Sequence, residues 1–176
     1  MRLLLHICCG PCGSGSVPVW RENGAEVTGF FYNPNIHPLM EYRRRLTGVR
    51  ELAEILGMPL GEDTSYDPER WFSEVCGQEG SRCIRCIAQR LARTAEEAAT
   101  NGFDAFSTTL SISPWQDHKA IQAGGERAAR LHRVRFVYED MRPFYPQSRR
   151  LSREWGIYRQ KYCGCLLSEW ERYRAS

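Results

Sequence analysis

The stretch Leu3-Leu4-Leu5-His6-Ile7-Cys8-Cys9-Gly10-Pro11-Cys12 decides the fold. Its first five residues form a largely apolar run, which predicts a buried β-strand, and three thiols follow in the loop at the carboxyl end of that strand. In an open α/β sheet, ligands bind at this edge, because the loops there enclose a crevice between strands and helices. We therefore expect Cys8, Cys9 and Cys12 to lie at a functional site.

Two further cysteine pairs lie far along the chain, at Cys83-x-x-Cys86 and Cys163-x-Cys165, among arginines and tyrosines rather than apolar residues. Thiolates two or three positions apart hold one metal or cluster well, because a tight turn points both sulfurs the same way. Free cysteine is also a common core residue, but three close groups are unexpected for separate buried thiols. The sequence predicts a metallocofactor site that folding assembles from three segments.

The number of thiols bears on the kind of cofactor. A structural zinc ion needs four ligands, whereas the three groups supply seven. The surplus favours either an iron-sulfur cluster with thiols left over for a second metal, or a cluster beside a redox-active pair. The eighth cysteine, Cys76, stands alone in an apolar helical pattern, so we expect it to pack rather than to bind.

Strand and helix patterns alternate along most of the chain, which is typical of a mostly parallel sheet covered on both faces. We predict a compact three-layer α/β/α fold with about five strands, in a single catalytic domain over residues 1–176. Residues 77–80 are expected to break a helix, and residues 142–146 to be extended. The predicted strands are 3–7, 26–32, 59–63, 104–110 and 135–138. The predicted helices include one of which 17–23 is a part, 39–56, 68–75, one that begins at 83 and ends at 101–102, one that carries Gln116, His118, Ile121 and Ala128, and 148–160.

The basic residues are unusual in kind rather than in number. The formal net charge is only +3, but of 24 basic residues just Lys119 and Lys161 are lysines. The planar guanidinium group suits phosphates and stacked bases, so nucleic acid is a plausible partner. A general bias of composition towards arginine is the alternative explanation.

The chain lacks the marks of a membrane or secreted protein. No segment has the roughly twenty consecutive apolar residues that cross a bilayer, and the apolar run at 3–7 is too short for a signal peptide. We expect a cytoplasmic protein. In a reducing compartment, eight cysteines indicate metal or redox chemistry rather than a disulfide framework.

Nucleotide-binding motifs are missing from the loop after the first strand. Residues 10–16 contain glycines and serines, but without the spacing of a P-loop or a Rossmann fingerprint, which argues against ordinary use of ATP. Among the histidines, we expect His6 to be a hydrogen-bonded core residue, since it lies within the buried strand. His37 and His118 are candidates to donate a proton near the carboxyl edge of the sheet, and Glu41 and Asp117 are either similar candidates or solvated surface residues.

Five ordered motifs together resemble the QueH-type epoxyqueuosine reductases, from the first strand to the last cysteine. Any one of them is weak, but their number and order make the resemblance specific. They are Leu5-His6-Ile7-Cys8-Cys9-Gly10-Pro11-Cys12; Tyr32-Asn33-Pro34-Asn35-Ile36-His37-Pro38 with Glu41, Tyr42 and Arg45; Arg82-Cys83-x-x-Cys86; Thr108-Thr109-Leu110 with Ser113, Pro114, Gln116 and His118; and Tyr158-Arg159-Gln160-x-Tyr162-Cys163-Gly164-Cys165.

The resemblance implies the last step of queuosine synthesis, in which the epoxide of epoxyqueuosine at the wobble position of a tRNA is reduced to an alkene. It implies a fold related to the adenine nucleotide alpha-hydrolase (HUP) family, with a 4Fe-4S cluster and an adjacent single metal, expected to be iron. The cluster ligands would come from Cys8, Cys9, Cys83, Cys86, Cys163 and Cys165, with Cys12 on the second metal. Proton donation would come from His37, Tyr32, Gln116 or His118.

A tRNA substrate predicts arginines around the mouth of the thiol site. Phosphate contacts fix the register of the RNA, while the reacting base is read in the pocket. Trp115, Tyr145 and Trp155 are candidates to stack on bases, with core packing as the alternative. We expect a monomer that receives electrons from an unidentified donor. The arginines expected at the mouth are Arg43, Arg44, Arg45, Arg149, Arg150 and Arg153.

Two other classes of protein fit the cysteines alone. One is a zinc-stabilised RNA-binding module without catalysis. The other is a thiol-disulfide oxidoreductase, in which Cys8 and Cys12, or Cys83 and Cys86, cycle between dithiol and disulfide. Both leave the ordered motifs without cysteine unexplained.

Overall fold

The computed structural model describes residues 1–76 and 81–175. In this part of the chain, five strands form one parallel sheet in the order β3-β2-β1-β4-β5. The predicted number of strands and their parallel direction are confirmed. The strands are β1 (Arg2–His6), β2 (Glu26–Phe31), β3 (Leu60–Glu62), β4 (Ala105–Thr108) and β5 (Arg135–Phe136).

Helices cover both faces of the sheet and produce two separate cores. Leu3 and Leu5 of β1 face a core shared with α1 and α2, whereas Leu4 faces a second core shared with α4 and α5. This alternation follows from the twofold period of a strand, and the predicted three-layer α/β/α architecture is confirmed. The helices are α1 (Gly10–Glu22), α2 (Leu39–Leu56), α3 (Pro68–Val75), α4 (Arg82–Thr100), α5 (His118–His132), α6 (Tyr145–Glu154) and α7 (Leu166–Tyr173).

Helix α2 begins and ends where the sequence predicts. It ends there because Gly57 follows it in the left-handed conformation, with φ of 53°. The strand predicted over 104–110 is shorter: β4 ends at Thr108 and the chain continues as a 3₁₀ turn, Thr109–Ile112. The side chain of Thr108 accepts a hydrogen bond from the Leu110 amide (3.1 Å), which starts the turn instead of extending the strand.

The carboxyl-terminal region differs most from the prediction. Residues 142–146 are not extended: Arg142–Phe144 form a 3₁₀ turn, and α6 begins at Tyr145 with Pro146 in its first turn. The helix predicted over 148–160 ends at Glu154, because Gly156 adopts a positive φ of 67° just beyond it. The sequence did not predict α7. The break expected at residues 77–80 lies outside the described residues.

Close backbone contacts position the first helix. A Cβ on Gly10 would lie 2.6 Å from the carbonyl oxygen of Gly48, so only glycine lets α1 approach α2 this closely. On the other side, the Ser148 hydroxyl of α6 donates to the carbonyl of Pro11. The amino-terminal turn of α1 is thereby fixed between two helices.

None of the helices in the described residues is long and apolar enough to span a bilayer.

Candidate metal centre

The first thiols lie where the order of the strands along the sheet reverses. The chain leaves β1 towards β2 on one side, and later continues from β4 to β5 on the other, so a crevice opens between the carboxyl ends of β1 and β4. Cys8, Cys9 and Cys12, here called the thiol trio, lie at this crevice. Cys9 is the N-cap of α1 and Cys12 lies in its first turn.

The trio is compact. Its three Sγ atoms all lie within 4.8 Å of one another, and the Sγ atoms of Cys8 and Cys9 are 3.8 Å apart. Hydrogen bonds from Cys12 and Cys9 hold the pKa of Cys8 well below its usual range. Burial raises the pKa of Cys9, and the bond to Cys8 raises that of Cys12. Within the trio, ionisation of Cys8 is therefore favoured over ionisation of Cys9 or Cys12.

Two residues that the sequence did not single out touch the trio. The Thr109 hydroxyl accepts a hydrogen bond from the Cys8 amide (3.1 Å) and contacts Cys8 Sγ (3.4 Å). The Gln160 amide nitrogen donates to Cys9 Sγ at 2.9 Å. Both residues belong to the ordered motifs, but their polar side chains carry no spacing signal that would indicate a contact with sulfur.

His6 is the last residue of β1 and lies two residues before Cys8. It is fully buried, with Nδ1 2.9 Å from the Thr108 hydroxyl and Nε2 3.1 Å from the Tyr32 carbonyl and 3.2 Å from Asn33 Oδ1. Burial, and next the charge of Arg90, lower its pKa to about 4. The expectation that His6 is a hydrogen-bonded core residue is confirmed, and it ties together the ends of β1, β2 and β4.

Four further cysteines come from two distant segments and are called the thiol quartet here: Cys83, Cys86, Cys163 and Cys165. Cys83 and Cys86 lie in the first turns of α4, and Cys165 is the N-cap of α7, where its Sγ accepts a hydrogen bond from the Ser168 amide (3.3 Å). Cys86 and Cys165 lie in one small core. Burial raises the pKa of Cys86 to about 11, although the charge of Arg90 acts to lower it.

Cys76 lies beside the quartet without joining it. It packs against a small core that contains Trp71, Val75, Cys86 and Cys165, in keeping with its predicted packing role. Burial raises its pKa.

A buried ion pair fixes the segment that carries Cys163 and Cys165. Arg45 Nε donates to Glu41 Oε1 (2.8 Å), while its terminal nitrogens donate to the carbonyls of Cys163 (2.7 Å) and Tyr162 (3.0 Å). The phenol of Tyr158 donates to the other Glu41 oxygen (2.6 Å). The prediction that Arg45 faces RNA phosphates is wrong, because this side chain is buried and fully engaged inside the protein.

The loop after β2 holds the same segment from the other side. The His37 amide donates to the Gly164 carbonyl (2.8 Å), and the Tyr162 phenol donates to the His37 carbonyl. The His37 ring lies between Phe72 and Trp71, with centroid distances of 5.0 and 4.9 Å. Burial lowers its pKa, so the ring is neutral at pH 7.

The other candidates for proton donation have different surroundings. Gln116 lies just before α5 rather than on it, and its amide nitrogen donates to Cys163 Sγ (3.3 Å). His118 binds the Tyr138 hydroxyl (2.7 Å) and the Ser113 carbonyl (3.1 Å) with its two ring nitrogens. Burial raises the pKa of Tyr32, which keeps its phenol protonated. Of the four candidates, Gln116 is the one for which the described residues give a direct contact with a cysteine of the site.

Each of the three cysteine segments lies at the amino-terminal end of a helix: the trio at α1, Cys83 and Cys86 at α4, and Cys165 at α7. The free amides and the dipole at such an end stabilise negative charge, and they lower the cost of keeping thiols as thiolates. The arrangement suits an anionic, thiolate-bound metal group.

Comparison with known proteins agrees with the ordered motifs. A family model described as "Epoxyqueuosine reductase QueH" matches residues 3–171, which include all eight cysteines. The chain belongs to this family. The resemblance inferred from the five ordered motifs is therefore confirmed.

Relatives named epoxyqueuosine reductase QueH match this chain over nearly its whole length. The protein from Dehalococcoides mccartyi is 41% identical and the alignment covers 98% of this chain and 94% of the relative. The protein from Thermotoga maritima is 38% identical, with 97% and 91% covered. The protein from Haemophilus influenzae is 37% identical, with 95% and 71% covered.

Among solved structures, a "predicted subunit of tRNA methyltransferase" from Methanocaldococcus jannaschii has the same fold. The TM-score is 0.56 at 16% identity, over 88% of this chain and 75% of that one. The similarity shows a common α/β fold and carries no statement about activity.

Proposed function

We propose that this chain reduces the epoxide of epoxyqueuosine, carried at the wobble position of a tRNA, to the alkene of queuosine. The reaction consumes two electrons and two protons, and the epoxide oxygen leaves as water. The observation that carries the proposal is the compact group of Cys8, Cys9 and Cys12 directly after β1, in a chain of the QueH family. Membership of this family supports the oxidoreductase class and the place in queuosine synthesis.

The spacing of the trio supports the binding of one metal ion. Thiolates bound to a single tetrahedral ion at about 2.3 Å hold their sulfurs roughly 3.8 Å apart, and the Cys8 and Cys9 sulfurs are 3.8 Å apart. Three protein ligands leave a fourth position open for substrate. We assign Cys8, Cys9 and Cys12 to the second metal, which we expect to be iron.

The quartet supports the binding of a 4Fe-4S cluster. Such a cluster takes one thiolate on each of four irons, and the quartet supplies four. Within the described residues, only the trio forms a group tight enough for a single ion. This grouping differs from the assignment by motif, in which Cys8 and Cys9 also counted as cluster ligands. When bound, the two groups would supply electrons one at a time and a Lewis acid for the epoxide oxygen.

The residues around the thiols would orient the substrate and stabilise negative charge on sulfur. Gln116 and Gln160 contact thiols of the quartet and the trio through their amide nitrogens, so each can turn a donor towards a bound oxygen at the crevice between them. The proton transfers are assigned to His37, Tyr32 or His118 as predictions from position. Because the His37 ring is neutral at pH 7, proton donation by it would require protonation on substrate binding.

An exposed aromatic group beside the thiols supports an RNA substrate. Trp115 is 75% exposed and directly precedes Gln116, so it has not been used for core packing. Its ring meets Tyr145 edge to face at 5.3 Å, and the Arg149 guanidinium lies 5.9 Å from the Tyr145 ring. Aromatic rings with arginine nearby bind unstacked bases. Exposed Arg43, Arg44, Arg150 and Arg153 remain the proposed phosphate contacts.

The test combines metal analysis with turnover. Protein purified without oxygen is expected to be brown and to contain iron and acid-labile sulfide. With epoxyqueuosine-containing tRNA and dithionite, mass spectrometry of the nucleosides should show the loss of one oxygen. The variant Cys163→Ser should lose turnover, whereas Cys76→Ser, a thiol of the same core outside the seven, should retain it.

Colourless protein that contains zinc and stays inactive after iron-sulfur reconstitution would contradict the proposal and favour a zinc-stabilised RNA-binding module. Turnover with a dithiol reductant in iron-free protein would instead favour the thiol-disulfide class.

A further inference from the structure

Arg90 is a buried cation beside the metal centre. It lies on α4, one turn after Cys86, and only 3% of its surface is exposed. Its Nε donates to the Cys86 carbonyl at 3.1 Å. Because residues four positions apart share one face of a helix, Arg90 projects on the same side as Cys86.

Arg90 lacks the partner that a buried arginine normally has. Arg45 is equally buried, at 3%, and it pairs with the Glu41 carboxylate and two carbonyls. In the described residues, no carboxylate forms an ion pair with Arg90. A buried charge without a counter-charge is costly, so negative charge has to come from elsewhere.

Thiols of the quartet lie beside Arg90. A hydrogen bond joins Arg90 Nε to the Cys86 carbonyl, and both residues are buried on α4. Cys86 in turn lies in one small core with Cys165. The positive charge of Arg90 is therefore next to the quartet.

We propose that Arg90 is the counter-charge of the thiol quartet. It is a positioning residue: its positive charge stabilises the thiolate, metal-bound form of the quartet and favours the addition of an electron there. The part that concerns metal binding follows from the thiols alone, whereas the part that concerns electron addition rests on the proposed function.

The first test uses Co²⁺ as the probe on the metal-free full chain, read from its thiolate charge-transfer and d–d absorption bands. Arg90→Met, which keeps length but removes the charge, is expected to weaken Co²⁺ binding at least tenfold. Arg90→Lys, which keeps the charge, should stay within threefold of the wild type. Arg93→Met is the matched control, since Arg93 lies one turn further along α4 and pairs with Asp63 and Glu97. Its affinity should equal that of the wild type.

The second test is the reduction potential of iron-reconstituted protein, followed by electron paramagnetic resonance. Arg90→Met should shift the midpoint to a more negative value, and Arg90→Lys should return it towards the wild type, which a merely structural role would not predict. Equal affinity and equal potential in Arg90→Met and the wild type would overturn the proposal.

If Arg90→Met does not fold, as judged by circular dichroism, Arg90→Lys decides alone, and a tenfold loss of Co²⁺ affinity in it overturns the proposal. If the wild type retains no iron, the proposed function fails, but the Co²⁺ comparison still decides the role of Arg90.

Discussion

The thiol trio and the thiol quartet are held in place by different means. The trio comes from one segment, and the end of β1 together with the start of α1 already determines where its sulfurs lie. The quartet joins α4 to a segment about eighty residues later in the chain, and long-range contacts of Arg45, His37 and Tyr162 hold that segment. The difference teaches that one set depends on local backbone geometry and the other on side chains that have no contact with metal.

The largest effect is expected from replacing Arg45, which should disturb the quartet and leave the trio in place. Arg45→Ala would leave the Glu41 carboxylate buried without its partner and free two carbonyls. Breaking a buried ion pair costs about 3–5 kcal/mol. We expect urea unfolding to show a loss of this size. Alkylation followed by peptide mass spectrometry should show much faster reaction of Cys163 and Cys165, with Cys9 still slow.

Arg43→Ala is the control for this change, because Arg43 is exposed on the same helix. Equal acceleration at the trio and the quartet would show that the two sets are not held independently.

Acid should lower the free energy of unfolding through His6. The pKa of His6 is about 4 in the folded chain, below its ordinary value of 6.5, so the unfolded chain binds the proton first as pH falls. The contribution of His6 is complete above pH 6.5 and is lost between pH 6.5 and pH 4, about 3 kcal/mol in all. Urea unfolding of the wild type at pH 7 and pH 5 should show about 2 kcal/mol of this loss.

His6→Gln should remove that pH-dependent part while lowering stability at pH 7. An unchanged difference between pH 7 and pH 5 in His6→Gln would assign the pH dependence to other groups.

A methyl group at the start of α1 should disturb the trio alone. In Gly10→Ala, the new Cβ would lie 2.6 Å from the Gly48 carbonyl oxygen. Such overpacking costs about 1–3 kcal/mol, and here it would push the first turn of α1 away from α2. We expect faster alkylation of Cys9, with Cys165 unaffected.

Gly48→Ala provides the control from the other side of the same contact. Its Cβ would come no closer than 3.4 Å to any neighbour, the nearest being the Ile157 side chain, with Tyr158 next at 3.8 Å. Because alanine also favours a helix over glycine, Gly48→Ala should be close to neutral. Similar losses in both variants would place the strain elsewhere.

The smallest effect is expected at Trp115, which precedes Gln116 beside the quartet and is proposed to stack on an RNA base. Trp115→Ala should lower tRNA affinity about fivefold, near 1 kcal/mol, because one stacked base would lose its platform. Fluorescence anisotropy at several salt concentrations measures it. The salt dependence should stay unchanged, because it reports the arginine–phosphate contacts. A changed salt slope would mean that the indole acts by placing those arginines.

The fold follows from the sequence wherever hydrophobic periodicity is strong. Helix α2 has a clear apolar stripe and a glycine stop, and its limits are as predicted. Around residues 142–160, arginine, serine and proline dilute the periodicity, so the start and the end of α6 are decided by turn geometry instead. Helix α7 is only eight residues long and none of its residues is fully buried, so its sequence is too short to predict a helix with certainty of its limits.

The sequence indicated the cysteines of the candidate site, but it did not indicate which other residues contact them. Close spacing of thiols is a signal in the sequence, and their meeting at the sheet edge follows from parallel topology. The sulfur contacts of Thr109 and Gln160 depend on the turn after β4 and on the loop before Cys163. Arg45 was misread because its buried partner, Glu41, is one of many i, i+4 pairs that usually lie on the surface.

The order of the segments along the chain has a consequence for biosynthesis. Translation delivers Cys8, Cys9 and Cys12 first, and about 150 further residues have to be added before Cys165. At 5–20 residues per second, roughly eight to thirty seconds separate the two events. During that interval the nascent chain carries the trio before the last thiol of the quartet has been made. Under the proposed ligand sets, delivery of the cluster would follow translation of residue 165, whereas the trio would be complete long before.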